Sequence, residues 1–128
     1  MTEPAIEPDR RVLLAEDDPL LVALIRATLR PTGVRLLEAG TGTEAVAVAR
    51  AQVPPLVLLD VGLPEMDGWE VCRELKADPA TRATRVVMLT ARATAADRER
   101  AVASGADGYL TKPFSPADLV AAVTGWLR

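Results

Sequence analysis

The chain reads as an α/β protein with a parallel sheet covered by helices on both faces. Two observations predict this. Short apolar runs alternate five times with segments of helical spacing, the pattern of consecutive βα units. The runs are short, continuous and bounded by turn residues, as strands buried on both faces are. A third observation points to a site: four runs end on reactive side chains. Val12–Ala15 leads into Glu16, Asp17 and Asp18; Leu56–Leu59 into Asp60; Val86–Leu89 into Thr90; Tyr109–Thr111 into Lys112 and Pro113. Ligands of open parallel sheets bind beyond the carboxyl ends of the strands. Acids, hydroxyl and ammonium are thus expected to meet at one sheet edge.

Taken in order, residues 1–10 carry Pro4, Pro8 and charges without periodicity and are expected to be a disordered tail, leaving residues 11–128 as one domain. A strand over 12–15 precedes a helix over 19–30, with Asp18 as N-cap, Pro19 in the first turn, and Leu20, Ala23, Leu24 and Ala27 as its apolar face. A strand over 34–37 precedes a helix over 43–52, apolar at Ala45, Val46 and Ala49. A strand over 56–59 leads through the loop Val61–Gly68 to a helix over 68–77, capped by Asp67, with Val71, Cys72 and Leu75 packing inward. A strand over 85–89, a helix over 95–104 ended by Gly105, a strand over 108–111, and a helix over 116–127 capped by Ser115 complete the pattern.

Composition narrows the chemistry. The 128 residues are 49% apolar, enough for a core and too many for a disordered chain. A net charge of -3 argues against direct nucleic-acid binding, which needs a basic face. No apolar stretch is long enough for a membrane span, so a cytoplasmic protein is expected. Cys72 is the single cysteine and histidine is absent, which excludes a disulfide, thiolate or imidazole metal sites and Ser-His-Asp catalysis. A metal site here is built of oxygen, suited to Mg²⁺, with Mn²⁺ or Ca²⁺ able to substitute. Glu16, Asp17 and Asp60 crowded together call for such a counter-charge: two like charges about 4 Å apart repel by roughly 4 kcal/mol at a surface-like dielectric. Thr90 and Lys112 then make sense as phosphate ligands, the more so because the chain has 13 arginines but only two lysines. A carboxylate so placed is a nucleophile for phosphorus, and Asp60, ending the central strand, is the best candidate.

At these residues the chain resembles the receiver domain of two-component response regulators. The matching stretches are Leu14-Ala15-Glu16-Asp17-Asp18-Pro19, Leu59-Asp60-Val61-Gly62-Leu63-Pro64 with Met66-Asp67-Gly68, Leu89-Thr90-Ala91, and Gly105 through Phe114. The resemblance covers about residues 11–128. The resemblance implies a flavodoxin-like (βα)5 fold of strand order 2-1-3-4-5. It implies that Asp60 accepts a phosphoryl group from a sensor histidine kinase or histidine phosphotransfer protein. Asp17, Asp60 and the Gly62 main-chain carbonyl would ligate Mg²⁺, with Glu16 acting through water. Thr90, Lys112 and the Ala91 and Gly62 amides would bind the phosphoryl oxygens. Thr90 and Tyr109 would act as the switch, the face of residues 95–127 would bind a downstream effector, and Lys112–Pro113 would be cis.

The positions two after Asp60 and two after Thr90 vary in this family and tune dephosphorylation. Gly62 offers nothing to orient a water, and Arg92 is long enough to reach over the site, so neither fast hydrolysis nor phosphatase activity is expected. A dehalogenase-type phosphatase would need an acid where Gly62 stands. A pseudo-receiver is not favoured, because every reactive position is filled. Neither GxxxxGK[ST] nor GxGxxG is present, which leaves nucleotide binding unsupported. A stand-alone receiver is expected; the alternative is the receiver portion of a regulator with a DNA-binding or enzymatic output domain. Sequence leaves open whether Trp69 and Trp126 are core or partner-facing, and reads Arg98-Glu99-Arg100 as a solvated helix face.

Overall fold

The computed structural model describes residues 9–91 and 94–127. Residues 1–8 of the expected tail at 1–10, and the expected reach of Arg92, lie outside the described residues. Asp9 and Arg10 are held in place: Asp9 pairs with Arg11 at 2.8 Å, and the Arg10 guanidinium donates to the Thr32 carbonyl at 2.7 Å.

Five strands, β1 (Arg11–Ala15), β2 (Arg35–Ala39), β3 (Leu56–Asp60), β4 (Arg85–Thr90) and β5 (Gly108–Thr111), form one parallel sheet. Five helices alternate with them: α1 (Pro19–Leu29), α2 (Gly42–Gln52), α3 (Gly68–Ala77), α4 (Ala95–Ser104) and α5 (Pro116–Trp126). The strand order is β2-β1-β3-β4-β5, the flavodoxin-like order. Side chains alternate across the central strands. Leu13, Ala15, Val57, Leu59, Val86 and Met88 pack beneath α2, α3 and α4, against Ala45, Ala49, Trp69, Cys72, Leu75 and Ala101. Val12, Leu14, Leu56, Leu58, Val87 and Leu89 pack on the other face against Ile25 and Leu29 of α1 and Leu119 and Val123 of α5.

The helix starts are set by side-chain caps. Asp18 accepts from the Leu20 amide at 3.0 Å, Asp67 from Glu70 at 2.9 Å, and Ser115 forms a capping box with Asp118. Cys72 is fully buried. Trp69 is 3% exposed and belongs to the core beneath α3, while Trp126 lies partly buried in the other core.

Two expectations are corrected. The face read for the first helix is its solvent side: Leu20 is 81% and Leu24 52% exposed, while Ile25 and Leu29 are buried. This helix is apolar nearly all round, so spacing fits two faces and only packing against β1 and α5 chooses between them. The second strand runs from Arg35 to Ala39 rather than over 34–37. A 3-10 turn, Arg30–Thr32, and Gly33 in the left-handed region at φ 78° take up the connection, and the Arg35 amide pairs first, with the Arg10 carbonyl.

One close approach positions the site. The loop leaving β3 folds back so that the Gly68 amide donates to the Val61 carbonyl at 2.9 Å. A Cβ on Gly68 would lie 2.3 Å from the Asp60 carbonyl oxygen. Only glycine lets α3 begin so close to the end of β3.

Candidate functional site

Strand register assembles the site. Ala15 stands opposite Leu59, which sets Glu16 beside Asp60; Asp60 stands opposite Leu89, and Thr90 opposite Thr111. The Lys112 amide donates to the Thr90 carbonyl at 2.7 Å, fixing the start of the last loop, and the Lys112–Pro113 bond is cis, as expected. The reactive residues thus converge because parallel strands end level with one another.

The ammonium of Lys112 lies 2.9 Å from Glu16 Oε2 and 2.9 Å from Asp60 Oδ1. Glu16 is nearly buried, and its other oxygen accepts from the Asp18 amide at 3.2 Å. Burial pushes the Glu16 carboxyl above the usual range; Lys112 opposes the rise, and the charge of Asp60 adds to it. For Lys112, burial acts to lower the pKa, but hydrogen bonds to Asp60 and Glu16 outweigh it and raise the ammonium above its ordinary value. Asp60 is 9% exposed, and its Oδ2 lies 3.7 Å from where a Cβ on Gly62 would be, so no side chain of residue 62 covers that oxygen.

Glu16, Asp17 and Asp60 bring carboxylate oxygens within 4.8 Å of one another, the one such acidic group among the described residues. All donors are oxygen, and Lys112 offsets only one of three negative charges, a set that fits a hard divalent cation. Beside it opens a cleft of about 330 Å³, lined by Asp60, Gly62, Thr90, Ala91 and Lys112 together with Trp69, Asp97 and Arg100. Thr90 is 8% exposed at the end of β4. Tyr109 does not line this cleft; it lies on β5, 41% exposed, with the Arg98 guanidinium 5.7 Å from its ring centroid.

Sequence reasoning missed Asp97, which it did not single out, and Arg100, which it left on a solvated helix face. Their placement depends on how α4 packs against α3, and nothing in the local pattern encodes that. Lys76, the other lysine, is structural: it bonds the Thr84 carbonyl at 2.7 Å and Asp107 at 2.8 Å, tying α3 to the edges of β4 and β5.

An α/β domain of this strand order, with acids and a lysine gathered at the carboxyl edge, belongs to the doubly wound class that binds ligands at its topological switch point. Comparison with known proteins names the family. The profile of the response regulator receiver domain matches residues 12–124, and the chain belongs to that family. It is 42% identical over 119 residues to the DNA-binding response regulator MtrA of Mycolicibacterium smegmatis, covering 93% of this chain and 51% of that protein. It is 36% identical over 120 residues to the alkaline phosphatase synthesis transcriptional regulatory protein PhoP of Bacillus subtilis, covering 94% and 49%. The chain therefore spans about half the length of the curated relatives it matches. Among solved structures, the receiver domain of sensor histidine kinase PA1611 of Pseudomonas aeruginosa, with magnesium in its active-site cleft, superposes with a TM-score of 0.85 at 36% identity, covering 92% of this chain and 97% of that one. The chemotaxis response regulator CheY4 of Vibrio cholerae gives 0.86 at 28% identity, covering 91% and 97%. Receiver domains are signalling switches of two-component systems rather than conventional enzymes. No helix among the described residues is long and apolar enough to cross a membrane.

Proposed function

We propose that Asp60 is the phosphoacceptor of a cytoplasmic switch, charged by the phosphohistidine of a sensor histidine kinase or histidine phosphotransfer protein. The observation that carries this is the Lys112 ammonium 2.9 Å from Asp60 Oδ1, in a cleft where Gly62 leaves Oδ2 uncovered. An Asp60 oxygen attacks phosphorus, the P–N bond to the donor imidazole breaks, and its electron pair leaves with the ring nitrogen. The carboxylate becomes an acyl phosphate. Lys112 and the Thr90 hydroxyl bind the transferred oxygens, with the Ala91 and Gly62 amides assisting. Asp17, Asp60 and the Gly62 carbonyl would hold Mg²⁺ directly and Glu16 through water, and Mn²⁺ or Ca²⁺ would suit the same donors. The bound ion would neutralise charge on the phosphoryl oxygens. Reactivity is confined to the domain's own side chain, and slow hydrolysis follows from the absence of a side chain at Gly62.

Phosphorylation adds charge and acceptor oxygens at the sheet edge, drawing Thr90 inward. Tyr109 then changes rotamer and the face of residues 95–127 shifts between two arrangements that a protein effector distinguishes. Apolar side chains left exposed on α1 support docking of a protein donor: Leu24 shares a groove with Lys112, Pro113 and Phe114 beside the cleft. A second reading, in which this domain governs a DNA-binding output domain, is favoured by the names of relatives of which it spans about half the length. In either reading this domain itself makes no direct nucleic-acid contact and does not enter a membrane.

The test is intact-mass spectrometry after incubation with acetyl phosphate. One phosphoryl group that requires Mg²⁺ and is absent in Asp60→Ala is expected. Equal labelling of Asp60→Ala would overturn the assignment.

A further inference from the structure

We infer that Arg100 is a phosphoryl-binding side chain of this cleft, engaging the anionic oxygens of the incoming donor. The inference rests on the reading of Asp60 as acceptor and adds a recognition element from α4.

Arg98 and Arg100 stand two residues apart on α4 and diverge. The Arg98 guanidinium lies over Tyr109, whereas that of Arg100 lies 5.5 Å from the ring centroid of Trp69, in the wall of the cleft that also contains Asp60 and Lys112. A guanidinium lying over an aromatic ring keeps its N–H donors for an anion. Among the described residues, no carboxylate lies within ion-pair distance of Arg100. The acid beside it in the lining, Asp97, is engaged in the α4 cap: its Oδ2 accepts from the Thr94 hydroxyl at 2.7 Å.

Charge makes the role specific. Glu16, Asp17 and Asp60 outnumber Lys112, and Lys112 is already divided between Glu16 and Asp60. A phosphodonor brings up to two further negative charges into the same cleft. A divalent cation on the acid side leaves the opposite side of the cleft, under α4, with Arg100 as the positive group among the described lining residues. A guanidinium fork matches phosphate oxygens two at a time. A cation held by an aromatic face is also placed in advance, so less side-chain entropy is lost on engagement than from a free surface arginine.

The experiment compares initial rates of Mg²⁺-dependent labelling at low donor concentration for wild type, Arg100→Ala, Arg100→Lys and Arg98→Ala. The donors are acetyl phosphate and phosphoramidate, which carries less negative charge at neutral pH. Arg100→Ala is expected to slow labelling by acetyl phosphate about tenfold, the scale of one charge-assisted hydrogen bond, and labelling by phosphoramidate less. Arg100→Lys recovers part of the rate, Arg98→Ala stays within about twofold of wild type, and the loss in Arg100→Ala shrinks with added salt. A purely structural role would slow both donors by the same factor, and that result overturns the inference, as does an Arg100→Ala rate within twofold of wild type. Wild type unlabelled by either donor would overturn the reading of Asp60 and this inference with it. Wild type labelled, with Arg100→Ala labelled equally, would overturn the inference alone.

Discussion

Substituting Gly68 by alanine is expected to strain the joint between fold and site. The added Cβ would lie 2.3 Å from the Asp60 carbonyl oxygen and 2.9 Å from Val61 Cα, where ordinary contact begins near 3.4 Å. The two segments must part by about 1 Å, and neither can give freely. Asp60 ends a strand buried along its whole length, and α3 is anchored by Trp69, Val71, Cys72 and Leu75. Overpacking of this kind costs typically 1–3 kcal/mol, and a backbone collision belongs at the upper end, about 2.5 kcal/mol. With an unfolding entropy near 2.1 cal/mol/K per residue, that lowers the melting temperature of a domain this size by roughly 9 °C. The displacement also draws Asp60 from Lys112, so labelling by acetyl phosphate should fall with stability. Thermal or urea unfolding with matched labelling rates checks both. A Gly68→Ala protein within about 0.5 kcal/mol of wild type would refute the reasoning.

The remaining predictions concern other parts of the molecule. Gly125, in α5 with nothing within 4 Å of its Cβ position, should gain roughly 0.5–1 kcal/mol on substitution by alanine, read as a raised urea midpoint. Val53 closes α2 at φ 44°, a left-handed conformation costly for a β-branched residue, so Val53→Gly should stabilise by about 1 kcal/mol in the same assay. Burial holds the Cys72 thiol above its ordinary pKa and fully covered, so it should react with a thiol reagent at pH 8 only at the rate of global or local opening, and instant reaction would contradict this. The Lys112 ammonium is raised in the folded state, so its contribution to stability is complete below the unfolded value near 10.4 and is lost as pH rises through the folded value. Urea midpoints of wild type should therefore fall toward those of Lys112→Met above about pH 10.5, and a gap that stays constant to higher pH would contradict the linkage.

The site was legible in the sequence because its members sit where a parallel sheet must bring them. Asp60 and Thr90 each end a strand and Lys112 follows one, and parallel register leaves little freedom in where such residues go. The caps Asp18, Asp67 and Ser115 were equally legible, since capping is a local property of the chain. The buried face of α1 was not, because its apolar residues encircle the helix and the choice of face is made by β1 and α5. Arg100 escaped for a related reason: whether an arginine on α4 lies over Trp69 or in open solvent depends on the contact between α4 and α3, which leaves no periodic trace. Lys76 shows the limit of counting residue types, since one of two lysines serves the site and the other ties strands to a helix.

The most direct measurement of the central claim is chemical mapping of the phosphorylated residue. The protein is labelled with acetyl phosphate and Mg²⁺, reduced with borohydride, which converts an aspartyl phosphate to homoserine, and sequenced by tandem mass spectrometry. Homoserine at position 60 and at no other aspartate is the predicted result. Homoserine at Asp17 or Asp18 with Asp60 intact would contradict the account.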